Sequence, residues 1–216
     1  MREEETRNIM TTIYLTRHGQ TEWNIEKRLQ GHGNSPLTEY GIDRAKELSK
    51  RIEELNIDCI YTSPIERAYK TAIILKGNKE IEVKSHEGLK EMNFGDYEGR
   101  ITEEVMKENP DWDITAIMKG NLDMRAPNGE TLREVRERVK KAMEEIISEN
   151  ENKTILVVAH GITLKAIMAF FEDEEVENEV MGQATLTKVI KDGDAFKIEF
   201  KNDGSHFTEV QEKQGW

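Results

Sequence analysis

Two arginines and two histidines stand at or just beyond the ends of apolar runs. Arg17-His18-Gly19 follows "TIYLT", Arg67 lies four residues past "DCIYTS", and His160-Gly161 follows "TILVVA". Arginine gives planar, bidentate, charge-assisted hydrogen bonds to phosphate oxygens, and two of them neutralise a dianion. Anion capture alone does not require histidine. A neutral imidazole whose other nitrogen is fixed as a donor can attack phosphorus, and a second, protonated imidazole adds positive charge to the transferring phosphoryl group. Asn24, Gln30 and Gly31, in the loop after the first run, complete what reads as a phosphate pocket. A leaving alkoxide also needs a proton, which a carboxylic acid near the bound anion can supply and then recover from water. Residue type alone leaves that acid open among 43 acidic residues.

Residues so far apart in sequence meet only if the fold brings the run ends together. In open parallel sheets, ligands sit outside the carboxyl ends of the strands. "TIYLTR" (12–17), "DCIYTS" (58–63) and "NKTILVVAHG" (152–161) read as strands, and the continuously apolar Ile155–Ala159 suits one covered on both faces. Helical stripes lie between them. Ile42, Ala45, Leu48, Ile52 and Leu55 recur at spacings of three and four after Thr38. "SPIERAYKTAIIL" predicts a helix over 64–76, with Ser63 as N-cap, Pro64 at the first position and Glu66 closing a capping box. Thr131 and Glu134 make a second box, ahead of the stripe Leu132, Val135, Val139, Met143 and Ile146. Another helix follows His160 through "ITLKAIMAFF", and "ATLTKVI" and "AFKIEF" form a hairpin across "KDGD".

This order implies one α/β domain, a three-layer sandwich with a mostly parallel sheet flanked by helices and an antiparallel C-terminal strand pair. Residues 1–10 read as a flexible extension ahead of a domain spanning 11–216. The span 91–130 suggests a short helix or two over the sheet's edge.

Composition narrows the classes. With 36% hydrophobic and 34% charged residues and no apolar run near the ~20 needed to span a bilayer, a membrane span is not expected. A net charge of −12 argues against a nucleic-acid surface, so any anionic ligand needs a local positive pocket. The single cysteine, Cys59, excludes an intramolecular disulfide, reads as buried and inert, and points to a reducing, cytoplasmic compartment. The start "MREEETRNIM" lacks the apolar core of a secretory signal.

Six blocks in order, "LTRHGQTEWN", "QGHGNSPLTEYG", "YTSPIERAYKTA", "LKEMNFGDYEG", "PNGETLREVRERV" and "VVAHGITLK", resemble the histidine phosphatase (phosphoglycerate mutase-like) superfamily. The resemblance spans about residues 12–190 and implies that His18 is a phosphorylated nucleophile, with Arg17, Arg67 and His160 forming the phosphate pocket around it. It implies that Glu91 is the acid and base, although by spacing alone Glu87 or Asp96 could serve. Gly19, Asn24, Gln30, Gly31, Gly161 and Ile162 match loops at the phosphate site. Such enzymes use no metal or cofactor, and no metal-ligand spacing such as His-Glu-x-x-His occurs here.

Other conspicuous residues have plainer readings. His32 either borders the mouth or is a solvated loop residue; His86 lies on an edge or loop, and His206 carries no role. Arg125 is either a second anion contact or a surface salt bridge, and Trp23 and Trp112 read as packing residues. The expected substrate is a small phosphorylated metabolite hydrolysed through phosphohistidine. The "FGDYEG" block and the compact spacing look more like the phosphatase branches, chiefly the broad-specificity one, than the mutases. A phosphoglycerate mutase is the alternative, and a non-catalytic phospho-ligand-binding protein a further one.

Overall fold

Val157 and its neighbours Ile155, Leu156, Val158 and Ala159 are all fully buried, which is possible only for a strand covered on both faces. The computed structural model describes residues 10–172 and 180–208. Its strands are β1 (Met10–Arg17), β2 (Cys59–Thr62), β3 (Glu82–Ser85), β4 (Thr154–Ala159), β5 (Leu186–Asp192) and β6 (Ala195–Asp203). They form one sheet in the order β3-β2-β4-β1-β5-β6. β4 lies between β1 and β2, parallel to both, and β3 extends the parallel set. β5 runs antiparallel to β1 and to β6.

The helices are α1 (Glu22–Ile25), α2 (Glu39–Glu53), α3 (Glu66–Lys76), α4 (Thr102–Glu108), α5 (Ile114–Met118), α6 (Leu132–Ser148) and α7 (Gly161–Glu172). Alternate side chains of the central strands feed two cores. On one face Tyr14, Ile60, Leu156 and Val158 pack with Leu48, Ile52, Ala68, Ala72 and Leu75 of α2 and α3. On the other, Ile13, Leu15, Ile155 and Val157 pack with Val139 and Met143 of α6 and Leu164 and Ile167 of α7. The result is the expected three-layer sandwich, with its antiparallel pair at one edge.

Local detail departs from expectation in three places. α3 begins at Glu66, not at 64; Ser63 Oγ accepts from the Ile65 N–H and makes no capping box. The first-turn Arg67 N–H is instead capped by Asn34 Oδ1 at 3.2 Å, from a distant loop. β3 carried no sequence signal, because its Glu-Val-Lys-Ser run is half exposed and charged. Helices α4 and α5 lie within 91–130, as expected, and Val105, Trp112, Ile114 and Ile117 belong to the same core as residues of α6 and α7. Of the expected N-terminal extension, residues 1–9 lie outside the described residues, and Met10 already belongs to β1. Among the described residues, no helix is long and apolar enough to cross a membrane.

Candidate active site

The parallel register aligns the carboxyl ends of the central strands: Arg17 pairs with Ala159, and Thr62 with Val158. His18, the start of α3 and His160 therefore emerge on one side of the sheet. A cleft opens there, lined by Arg17, His18, Asn24, Gln30, Gly31, Arg67, Glu91, Gly161 and Ile162 among others.

His18 is buried, and its Nδ1 lies 2.7 Å from the Gly19 carbonyl oxygen. A carbonyl can only accept, so Nδ1 carries the hydrogen and Nε2 keeps its lone pair. Nε2 in turn accepts from Arg67 Nε at 3.3 Å. Burial lowers the His18 pKa well below the ordinary histidine value, with Arg67 and Arg17 adding to it. The ring is thus a neutral imidazole presenting a lone pair, which is the form a nucleophile needs.

Arg67 is fixed by two more hydrogen bonds, from Nη1 to the Gly33 carbonyl at 2.6 Å and from Nη2 to the Gly31 carbonyl at 2.7 Å. Gly31 adopts a left-handed φ of 52°, and a Cβ there would meet Glu98 Oε1 at 2.1 Å. Burial pulls the Arg67 pKa down to about 10, so the guanidinium remains charged at neutral pH. Arg17 is lowered by burial as well, with Glu91 opposing.

His160 is fully buried, with its ring centroid 5.1 Å from that of His18 in an edge-on arrangement. Burial, then Arg67, His18 and Arg17, push its pKa well below the ordinary value. Both His160 ring nitrogens and Arg17 Nε are buried without a hydrogen-bond partner among the described residues. Such orphans cost about 1–3 kcal/mol each, and three at one site need an explanation.

Glu91 projects from the segment before α4 to the start of α7. Its Oε1 accepts from Met92 N and Thr163 N, and Oε2 accepts from Ile162 N at 3.2 Å, while the Thr163 hydroxyl gives its one hydrogen to the Lys90 carbonyl at 2.6 Å. The alternatives lie elsewhere: Glu87 pairs with Lys90, and Asp96 takes the Asn128 amide. Asn24 closes the cap of α1 through Oδ1, and the Thr21 hydroxyl bridges it to Gln30.

Two expected residues stand behind the cleft. His160 lies beneath its wall against His18, and Gly19 backs that histidine, its N–H committed to Thr71 Oγ1. Gly19 is glycine for close packing, since a Cβ would meet the Gly41 carbonyl oxygen at 2.6 Å. His32 does not line the cleft; its Nε2 donates to the Glu91 carbonyl at 3.0 Å. His86 contacts Glu145, His206 the Ala184 carbonyl, and Arg125 pairs with Glu134 at the surface. Trp112 packs edge-on against Phe94 and Tyr97, and Trp23 lies against Gly99. Arg28, Leu29, Phe94, Thr102 and Ile114 also line the cleft and were not foreseen, since nothing in their spacing marks them.

The match to the histidine phosphatase superfamily (branch 1) runs over residues 13–204. The chain belongs to that family. It is 30% identical over 201 residues to the uncharacterized phosphatase PhoE of Bacillus subtilis, covering 92% of this chain and 98% of PhoE. It is also 34% identical over 160 residues to the probable phosphoglycerate mutase GpmB of Escherichia coli K12, covering 74% of each. The solved structure of YhfR from Bacillus stearothermophilus superposes with a TM-score of 0.84 at 37% identity, over 91% of this chain and 98% of YhfR. This histidine phosphatase is thus similar both to a protein named as a phosphatase and to one named as a mutase.

Proposed function

We propose that this histidine phosphatase hydrolyses phosphomonoesters of small metabolites through a phosphohistidine on His18. The observation that carries the reading is the convergence of a lone pair on His18 Nε2 with buried, unpartnered polar atoms of Arg17 and His160. A phosphoryl group bound there accepts from Arg17 and Arg67 and gives Arg17 Nε the acceptor it lacks.

In the first half-reaction, His18 Nε2 forms a bond to phosphorus as the ester P–O bond breaks, and Glu91 gives its proton to the departing oxygen. In the second, Glu91 takes a proton from water, the water oxygen attacks phosphorus, the P–N bond breaks and inorganic phosphate leaves. Oε2 is the oxygen suited to this, because Oε1 already accepts from two backbone N–H groups and Oε2 from one. The guanidiniums of Arg17 and Arg67, together with His160 once an anion favours its protonated form, stabilise the transferring group without a metal.

His18→Ala is expected to abolish turnover of a generic phosphomonoester and to give no acid-labile phosphohistidine after incubation with a labelled phosphate donor. Wild-type-like turnover in that variant overturns the mechanism. The likeness to GpmB supports a second reading, in which the phosphoryl group returns to substrate; rapid conversion of 3- to 2-phosphoglycerate, primed with bisphosphate and without phosphate release, would establish it. The lone cysteine, Cys59, is buried and its thiol pKa is raised by burial, so it is inert; the lack of any partner for an intramolecular disulfide is what supports a reducing, cytoplasmic setting.

A further inference from the structure

Arg138, on α6, does not line the cleft. Nevertheless each of its five N–H donors has its own acceptor. Nη1 donates to the carbonyls of Gly88 at 2.9 Å and Lys90 at 2.8 Å, and Nη2 to the Glu91 carbonyl at 2.9 Å. Nε and Nη2 also clasp Glu130 Oε1 and Oε2, at 2.8 and 3.1 Å. Glu130 extends the clasp along the same segment: its Oε2 accepts from Asn93 N at 2.8 Å, and its own N–H donates to the Asn93 carbonyl at 2.8 Å. At the other end, Gly88 lies so close to α6 that a Cβ would meet Ala142 Cβ at 2.6 Å.

Gly88, Lys90 and Glu91 are therefore tied to Arg138 of α6, and Asn93 to Glu130 just before that helix, with Glu91 near the centre of the held segment. The backbone of Glu91 faces Arg138, whereas its carboxylate faces α7 and the cleft. We propose that Arg138 is a positioning residue which, with Glu130, sets where the Glu91 carboxyl meets the leaving-group oxygen. This rests on the reading of Glu91 as the acid. A general acid works only within hydrogen-bond reach of the atom it protonates, and a shift of about 1 Å can cost on the order of 100-fold. Lysine cannot replace the fork, because its three donors radiate from one point and cannot serve three carbonyls and a carboxylate together.

The test is kcat/KM for a series of aryl and alkyl phosphates of rising leaving-group pKa. This quantity reports the first phosphoryl transfer and omits phosphoenzyme hydrolysis. Arg138→Lys is expected to lose roughly 10- to 100-fold on alkyl phosphates and less than about threefold on p-nitrophenyl phosphate, whose leaving group needs no proton. In a Glu91→Gln background the same change should cost less than about threefold on every ester, because there is no acid left to position. Glu130→Gln, which keeps the shape but weakens the clasp, should show the same pattern at smaller amplitude.

An equal loss on all esters, or an equal loss in both backgrounds, would mark Arg138 as merely structural and overturn the proposal. A leaving-group dependence in Glu91→Gln without one in Arg138→Lys also overturns it, leaving the acid assignment standing. A flat profile in Glu91→Gln itself overturns the acid assignment, and the positioning role with it. If Arg138→Lys does not fold, the Glu130→Gln comparison carries the same outcomes.

Discussion

At the residue scale, the site depends on keeping two imidazoles neutral beside two guanidiniums. The Gly19 carbonyl fixes the His18 tautomer, and burial followed by the arginines lowers the pKa values of both His18 and His160. A bound dianion reverses the electrostatic part of that effect, since it attracts the imidazolium it touches. The histidine pKa values then rise on binding, protons are taken up between the lowered value of the free site and the higher value of the complex, and affinity increases as pH falls through that window. Sulfate, which stays dianionic in mildly acidic solution, is the cleanest probe. Calorimetry over a series of pH values below neutrality, in two buffers of different ionisation enthalpy, should show net proton uptake on sulfate binding as pH falls, reduced in a His160→Gln variant. Proton release, or uptake unchanged by that substitution, would contradict the assignment of His160 as a partner of the anion.

At the scale of elements, what positions His18 is the contact between the end of β1 and the start of α2. A Cβ on Gly19 would lie 2.6 Å from the Gly41 oxygen, and one on Gly41 2.2 Å from the Gln20 oxygen. Both obstacles are backbone, so relief requires the strand end to move. Gly19→Ala should cost about 1–3 kcal/mol of stability, or roughly 2–12 °C in Tm for a chain of this size. Because the Gly19 carbonyl holds His18 Nδ1, kcat/KM should fall in the folded variant as well. Gly193→Ala, in a hairpin turn with φ of 57° and nothing within 4 Å of the added methyl, should lose some stability and no activity. The elements that were legible in sequence are those whose signals are local. The capping box of Thr131 and Glu134 forms as read, as does the apolar run of β4. The start of α3 was misread because its cap comes from Asn34 and not from Ser63, and a partner 33 residues away leaves no mark on local pattern.

At the scale of the whole molecule, the same limit explains what the site itself revealed. Arg17, His18 and His160 could be read from sequence because they sit at strand ends, and sheet topology alone brings them together. Glu91 could not be chosen over Glu87 or Asp96 by spacing, because its place is set by Arg138, 47 residues on, and by the start of α7. The chain's charge makes a last prediction possible. A net charge of −12 repels a phosphomonoester dianion at long range, while Arg17 and Arg67 attract it inside the cleft. Salt screens the two unequally: the Debye length shrinks from about 30 Å at 0.01 M to about 10 Å at 0.1 M, whereas buried pairs in contact are screened much less. Raising an inert salt across that range should therefore raise kcat/KM for a dianionic ester, with a flatter response for an ester whose leaving group carries a compensating ammonium. A fall of more than about threefold for the dianion would mean that attraction at the cleft mouth, and not the field of the whole chain, governs approach.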